Sequence, residues 1–447
     1  MNKTQQWTSK LGFILAAAGA AIGLGAIWKF PYVAGSSGGG AFFIVFLLLT
    51  LLIGMPLLLA EFIIGRSVQK EAVTAYKVLV PNSKLYPWIG RMGVVTSFIV
   101  LSFYSVVGGW ILLYLYYAIT GELWSGHVKF AELFGQTISN PYAAIGAQLL
   151  FMLCTIFIVS RGIQQGVEKA NKYMMPALFI LFLVLIGRSL TLDGAWKGVV
   201  FFLKPDFSKL TAKTILYAMG QSFFSLTVGA SVMVTYSSYL KKDESLTKSA
   251  TSIVGLTIFI TVLAGLAIFP ALFALGLSPT EGPGLLFIVL PSVFNTIPMG
   301  HVFFIVFLVL FFFATITSSI SMLEIVVASI AKEKQEKRAK LSLYIGLIIF
   351  CVGIPSALSF GVMSDVKLFG KTMFDVSDYL VSNILLPAGV LAISLFVPAK
   401  IPKEKLLYEL SVGTKYGKQW FTVWFFLLRY IVPITIVLVF LNVIGII

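Results

Sequence analysis

Two apolar stretches of this chain carry glycines and small polar residues at the depth where a membrane helix should run unbroken. They read Gly19-Ala20-Ala21-Ile22-Gly23-Leu24-Gly25 and Ser225-Leu226-Thr227-Val228-Gly229-Ala230-Ser231. A broken helix frees backbone N–H and C=O groups, which are tolerated inside a bilayer only where they are buried in protein or line a polar cavity. Backbone and hydroxyl oxygens are the ligands a hard cation prefers. A third stretch, Ala314-Thr315-Ile316-Thr317-Ser318-Ser319, sets Ala314, Thr317 and Ser318 at helical spacing, so a carbonyl and two hydroxyls share one face. Ser and Thr in membrane helices also bond back to their own turn, so this cluster gains its meaning from the breaks it would meet.

The elements that must hold these residues are membrane spans. Charged residues are 11% of the chain and hydrophobic residues 58%, with mean hydropathy +0.96, against roughly 25% charged in a soluble domain. Long uncharged runs predict spans at 10–30, 39–65, 88–119, 142–160, 172–190, 213–239, 246–277, 300–331, 341–360, 374–397 and 420–446. The reading is an all-α polytopic membrane protein of eleven transmembrane helices, one integral membrane domain over residues 1–447. Spans one to five (about 10–190) and six to ten (about 213–397) make two halves, and 420–446 is an extra helix. The broken spans, one and six, open each half, the mark of an inverted repeat. Half-helix N-termini face an anionic group and C-termini a cation, which favours a zwitterionic or carboxylate substrate moving with cations.

Most of the 33 lysines and arginines fall in the N-terminus and every second loop, which puts the N-terminus in the cytoplasm and the C-terminus outside. The net charge of +15 then matches anionic lipid headgroups rather than nucleic acid. Lys3 and Lys10, followed by an apolar run with Ala16-Ala17-Ala18, imitate a signal peptide. The run continues to Lys29-Phe30-Pro31, so it is read as a retained span. Cys154 and Cys351 lie in separate spans as packing residues. His127 and His301 are external and lack partners at metal-ligand spacing. Gly370-Lys371-Thr372 only imitates the end of a phosphate-binding loop, because Asp365 stands where its first glycine belongs. Nucleotide as an energy source is therefore not expected, which leaves an ion gradient or a partner subunit.

The stretches Gly23-Leu24-Gly25-Ala26-Ile27-Trp28-Lys29-Phe30-Pro31, Gly38-Gly39-Gly40-Ala41-Phe42 and Thr317-Ser318-Ser319-Ile320 resemble the neurotransmitter:sodium symporter family with its LeuT-like fold. The likeness runs in order from Trp7 to about residue 397. Within the family the chain is most similar to the bacterial multi-hydrophobic amino acid transporter type. The resemblance implies a 5+5 inverted repeat and a sodium-coupled symporter importing aliphatic or aromatic L-amino acids by alternating access. One sodium is implied at the carbonyls of Gly19, Ile22 and Ala314 with the hydroxyls of Thr317 and Ser318. A second is implied at the Ala21 carbonyl with Ser225 and Thr257, completed by the substrate carboxylate; the Asn usual in relatives is Ala26 here, which weakens that cage.

Relatives that carry amines place an Asp where this chain has Gly23, so the resemblance favours an amino acid. Its backbone would meet Ala21, Gly23 and Gly25, and Tyr104 would hydrogen-bond its carboxylate. Val100, Phe224, Thr227, Ala230, Ser231, Ser318 and Met322 would line a side-chain pocket, enlarged because Ala230 stands where relatives often have a large aromatic residue. An external gate is implied from Lys29 and Asp378. At the cytoplasmic mouth the resemblance implies Trp7 as a plug, with Lys3 and Glu333 as a shifted ion pair. Gly166 ahead of the helix-breaking Pro176 would let the fifth span unwind and release sodium. Chloride is not favoured, since Phe46 and Thr261 replace the usual ligands and only Gln221 remains. Glu61, Glu324 and Arg429 receive no role from the sequence. Rival readings are proton coupling, then an ion channel, then a membrane-embedded enzyme, for which no nucleophile and base are seen at plausible depth.

Overall fold

The computed structural model describes residues 6–23, 25–125, 128–277, 284–332, 335–415 and 417–443. Within them the chain is helical, and the one β feature is an isolated bridge between Leu368 and Lys371. Helices α1 (Lys10–Ala21) and α2 (Gly25–Ser36) form a single bent pair with 50° between its halves. Then come α3 (Gly40–Val68), α4 (Ala72–Leu79), α5 (Pro87–Thr120), α6 (Phe130–Ser139), α7 (Pro141–Ser160), α8 (Ile163–Leu190) and α9 (Ala195–Leu203). The second half begins with α10 (Ala212–Ser225) and α11 (Val232–Ser238) and continues through α12 (Leu246–Ala274), α13 (Leu285–Thr296), α14 (Gly300–Ala331), α15 (Arg338–Leu358) and α16 (Met373–Lys400). Helices α17 (Lys403–Ser411) and α18 (Gly417–Asn442) end the described chain.

Nine of these helices are each long and apolar enough to cross a bilayer, and the bent pair makes a tenth span among the described residues. The segment predicted as span six is built as α10 and α11, each too short to cross alone. The architecture is the expected all-α LeuT-like one, with the first and sixth spans broken. Most boundaries fall within about three residues of the prediction, and two of the shifts have a visible cause. Span five begins at Ile163 rather than 172, because Glu168 is taken up by Lys172 and by the Thr8 and Ser9 hydroxyls, so its charge does not end the helix. Span nine begins at Arg338 rather than 341 for the same reason, since Arg338 is buried against Glu324.

Helices α5 and α14 pack against each other and are the most buried of the helices long enough to cross a bilayer, whereas α8 and α18 turn most of their apolar surface outward, as lipid-facing helices do. Helix α1 packs against α8, α12 and α14. Its alanines Ala16, Ala17 and Ala18 are fully buried, and small side chains of this kind let helix backbones approach closely. Ser9 caps its start by accepting from Gly12 N–H.

Candidate functional site

The first break follows from lost helix bonding after Ala21. Ile22 N–H still donates to Ala18 O at 2.8 Å, but Ile22 itself has left helical geometry with ψ 62°. The chain resumes as the wide-turned start of α2, where Ala26 and Ile27 both donate to Gly23 O at 3.3 Å. The second break, between α10 and α11, places Thr227, Gly229 and Ser231 all in the left-handed region, with φ of 52°, 91° and 55°. Backbone that leaves a helix this way needs a foreign acceptor. Glu61 on α3 supplies it, taking the Gly229 N–H at 2.7 Å on Oε1.

The carbonyls released at the end of α1 meet hydroxyls from two other elements. Ser318 Oγ on α14 donates to Gly19 O at 3.1 Å and Ala20 O at 3.0 Å, and Thr227 Oγ1 donates to Ala20 O at 3.0 Å. Thr317 Oγ1 donates to Ala314 O at 3.0 Å. Gly19, Ile22, Ala314, Thr317 and Ser318 are all buried. The arrangement gathers neutral oxygens at the negative end of a half-helix with no carboxylate among them, which suits a monovalent cation. The second predicted set is less assembled. Ala21, Ser225 and Thr257 are buried, but Thr257 Oγ1 bonds back to Ile253 O at 2.9 Å. Ser225 Oγ accepts from Gln221 Nε2 at 3.1 Å, and the same nitrogen donates to Gly25 O at 2.7 Å. Thr261 likewise bonds back to Thr257 O, and Phe46 packs on the Phe30 ring.

Between the breaks lies a small cavity of about 30 Å³. Ala21, Gly23, Gly25, Val100, Tyr104, Phe224, Thr227, Ala230, Ser318 and Met322 line it, together with Ala20, Ser97, Val232 and Leu386, which the sequence reading did not select. Ser231 does not line it. Its left-handed backbone turns the side chain against Gly93, where an added Cβ would lie 2.6 Å from both Ser231 Cβ and Oγ. Most of its lining is apolar, and Tyr104 Oη and Ser318 Oγ converge beside Gly23.

At the far end of α1–α2, no ion pair joins Lys29 to Asp378 in this conformation. Lys29 Nζ lies 4.9 Å from the centre of the Phe224 ring, and Asp378 accepts from Ser382 Oγ at 2.9 Å. A lysine is a flexible point charge without a bidentate fork, and here it settles on the cavity's aromatic wall. The end of the molecule around Trp7, by contrast, is closed. Trp7 is 4% exposed, its Nε1 donates to Tyr236 O at 2.9 Å and its N–H to Tyr239 O at 3.2 Å, and its ring packs edge-on to both tyrosines. Lys3, Glu333 and His127 lie outside the described residues. A second closure was not foreseen: Tyr239 Oη donates to Glu324 at 2.8 Å, and Arg338 holds the other oxygen of that carboxylate. His301 sits beside Trp124, and no group of His, Cys, Asp and Glu able to hold a metal occurs among the described residues. Arg429 lies over the rings of Phe425 and Tyr430.

The first turns of α8 depart from regular α-helix geometry. Residues Ile163–Glu168 are wound as a wide π-turn, Gly162 has φ 82°, and Pro176 lies inside the helix further on, which runs through it to Leu190. Gly166 permits this, since a Cβ there would lie 2.0 Å from Ile158 O. A π-bulge and a proline are recognised causes of local helix opening. Pro176→Ala is expected to slow sodium release to the cytoplasmic side several-fold, read as efflux of radioactive sodium from loaded vesicles; unchanged efflux would remove Pro176 from the exit step.

Comparison with known proteins agrees with this geometry. The sequence model of the Sodium:neurotransmitter symporter family matches residues 4–132 and 124–446. An uncharacterized sodium-dependent transporter, YhdH of Bacillus subtilis (strain 168), is 56% identical over 447 residues, covering 100% of this chain and 99% of the relative. An uncharacterized sodium-dependent transporter of Haemophilus influenzae is 37% identical, covering 99% of this chain and 98% of its own. The crystal structure of MhsT in complex with L-phenylalanine superposes with a TM-score of 0.90 at 43% identity, covering 98% of this chain and 99% of that one.

Proposed function

The chain belongs to the sodium:neurotransmitter symporter family, whose members are secondary transporters and not enzymes, and on that premise we propose that it imports hydrophobic L-amino acids together with sodium by alternating access. The observation that carries this reading is the meeting of Ser318 and Thr227 with the freed carbonyls of Gly19 and Ala20, directly beside the cavity. An ion held there and a solute held in the cavity share one wall, so binding of either stabilises the other.

The side of the cavity beside Gly23 is assigned to the substrate backbone, with its carboxylate near the Tyr104 hydroxyl and the glycine backbone of the first break. The part walled by Val100, Phe224, Ala230, Met322 and Leu386 is assigned to its side chain. The apolar lining suits a leucine or phenylalanine side chain, for which the cavity of about 30 Å³ must widen, and the similarity to a protein crystallised with L-phenylalanine supports the same class. One sodium is assigned to Gly19, Ile22, Ala314, Thr317 and Ser318, and a second to Ala21 and Ser225 with Thr257. The second requires Thr257 to turn from Ile253 toward the ion. Chloride has no matching ligand set at Phe46 and Thr261.

In this reading the broken first and sixth spans, which open the two repeats at about 10–190 and 213–397, rock in a scaffold built by the other spans. The Trp7 plug and the Tyr239–Glu324–Arg338 cluster close the cytoplasmic mouth, and Lys29 and Asp378 approach one another when the outer side shuts. The N-terminus is assigned to the cytoplasm and the C-terminus to the outside, with the basic loops against anionic lipid.

Equilibrium binding of radioactive L-phenylalanine tests the reading. Binding should rise with sodium at constant ionic strength and vanish in choline. Ser318→Ala removes a hydroxyl shared by the ion cluster and the cavity, and should raise the half-saturating sodium concentration by about 10- to 100-fold. Binding that is equally strong in choline would overturn the assignment.

A further inference from the structure

One buried side chain beside the ion cluster has no role in the account so far. Asn171 lies on α8 and is 0% exposed. Its Nδ2 donates to Val167 O at 2.9 Å, one turn back, which fixes the amide plane and leaves Oδ1 facing away from its own backbone. Among the described residues Oδ1 has no hydrogen-bond partner. Buried side-chain oxygens are rarely left so, and an orphan points to something it meets in another state of the molecule.

The direction of Oδ1 identifies that something. A Cβ built on Gly19 would lie 2.2 Å from Asn171 Oδ1 and 3.2 Å from Thr317 Cβ. The amide oxygen therefore rests against Gly19, next to Thr317, and Gly19 must lack a side chain for it to do so. These two residues supply a carbonyl and a hydroxyl to the proposed cation position. We propose that Asn171 is a further ligand of that cation, its Oδ1 completing the shell of neutral oxygens from the side of α8. The inference rests on the sodium assignment made above and extends it.

The placement also gives the ion a mechanical reach. Asn171 follows the wide-turned stretch Ile163–Glu168 and precedes Pro176, so it sits between the two features of α8 that favour local opening. An ion bound to Asn171 ties that part of α8 to α1 and α14. When it unwinds, the oxygen leaves with it, the shell loses a donor, and the ion is released toward the cytoplasm. A neutral amide suits this task better than a carboxylate, which would hold the ion too firmly to let it go.

The test titrates sodium, in a choline background, against L-phenylalanine binding in the full-length protein. Asn171→Ala, and Asn171→Leu as a variant that keeps the volume, should each raise the half-saturating sodium concentration about tenfold, with binding recovered as sodium is raised further. Asn171→Asp keeps an oxygen and should bind sodium at least as tightly as the wild type. Thr317→Ala is the reference. If it weakens sodium dependence while Asn171→Ala and Asn171→Leu stay within about twofold of wild type, Asn171 is not a ligand and the inference falls alone. If Thr317→Ala also changes nothing, the sodium assignment itself has failed. Hydrogen exchange over residues 163–176 gives an independent readout that a packing role would not move: sodium should protect this segment in the wild type and in Asn171→Asp, and not in Asn171→Leu. Equal sodium protection in Asn171→Leu would also overturn the proposal.

Discussion

Gly23→Ala is expected to abolish L-phenylalanine binding at ordinary concentrations, weakening it by about 100-fold or more, about 3 kcal/mol. An added Cβ would lie 2.3 Å from Ser318 Oγ, 2.9 Å from Ser318 Cβ and 2.5 Å from Tyr104 Oη. Neither neighbour can yield cheaply. Ser318 is held by its bonds to Gly19 O and Ala20 O, and Tyr104 is 2% exposed. Forcing a methyl group into such a site costs about 1–3 kcal/mol in packing alone, and here the displaced groups belong to the proposed ion cluster and substrate cavity. Gly25→Ala should be milder, since its Cβ would meet the Phe224 ring at 2.7 Å, a half-buried side chain able to shift. Gly187→Ala on α8 meets nothing within 4 Å and should bind normally. Calorimetric or radioligand titration of the three variants reads the ranking directly.

Arg338→Ala is expected to destabilise the protein by about 3–5 kcal/mol, the usual cost of stripping one partner from a buried ion pair. Its side chain is 4% exposed and that of Glu324 is 0% exposed. Removing the guanidinium leaves the carboxylate with Tyr239 Oη as its remaining side-chain donor. The loss should appear as a lower thermal midpoint and as greater reactivity of a cysteine introduced at the cytoplasmic mouth. Adding Glu324→Gln should recover part of the stability, because the uncompensated charge is then gone, so the two changes will not add. A double variant as unstable as the sum of the singles would contradict the pairing.

The breaks were legible because they depend on local chemistry: Gly19 to Gly25 and Ser225 to Ser231 announce themselves against an apolar background. The hydroxyl face of α14 was legible through helical spacing, and ten of the predicted cavity residues do line the cavity. What escaped were partnerships between distant positions. Glu61 serves Gly229 and Arg66 serves Glu409 across separations of 168 and 343 residues, and no local pattern joins them. Glu324 and Arg338 are nearer, yet a turn between helices divides them, so helical spacing gave no hint. Ser231 was misplaced because its left-handed φ reverses the side chain, a feature that residue type alone does not reveal. Lys29 and Asp378 remain apart because charge alone does not overcome the lysine's preference here for the Phe224 ring. Asn171 offered a signal that could have been read: a polar amide in an apolar span, on the stretch between Gly166 and Pro176.

The most direct test of the account is uptake of L-phenylalanine into proteoliposomes under imposed ion gradients. The broken helices as read here predict concentrative uptake under an inward sodium gradient, lost when choline replaces sodium or when an ionophore dissipates the gradient. Equal accumulation driven by an acid exterior in choline, or non-saturable flux without sodium, would contradict it.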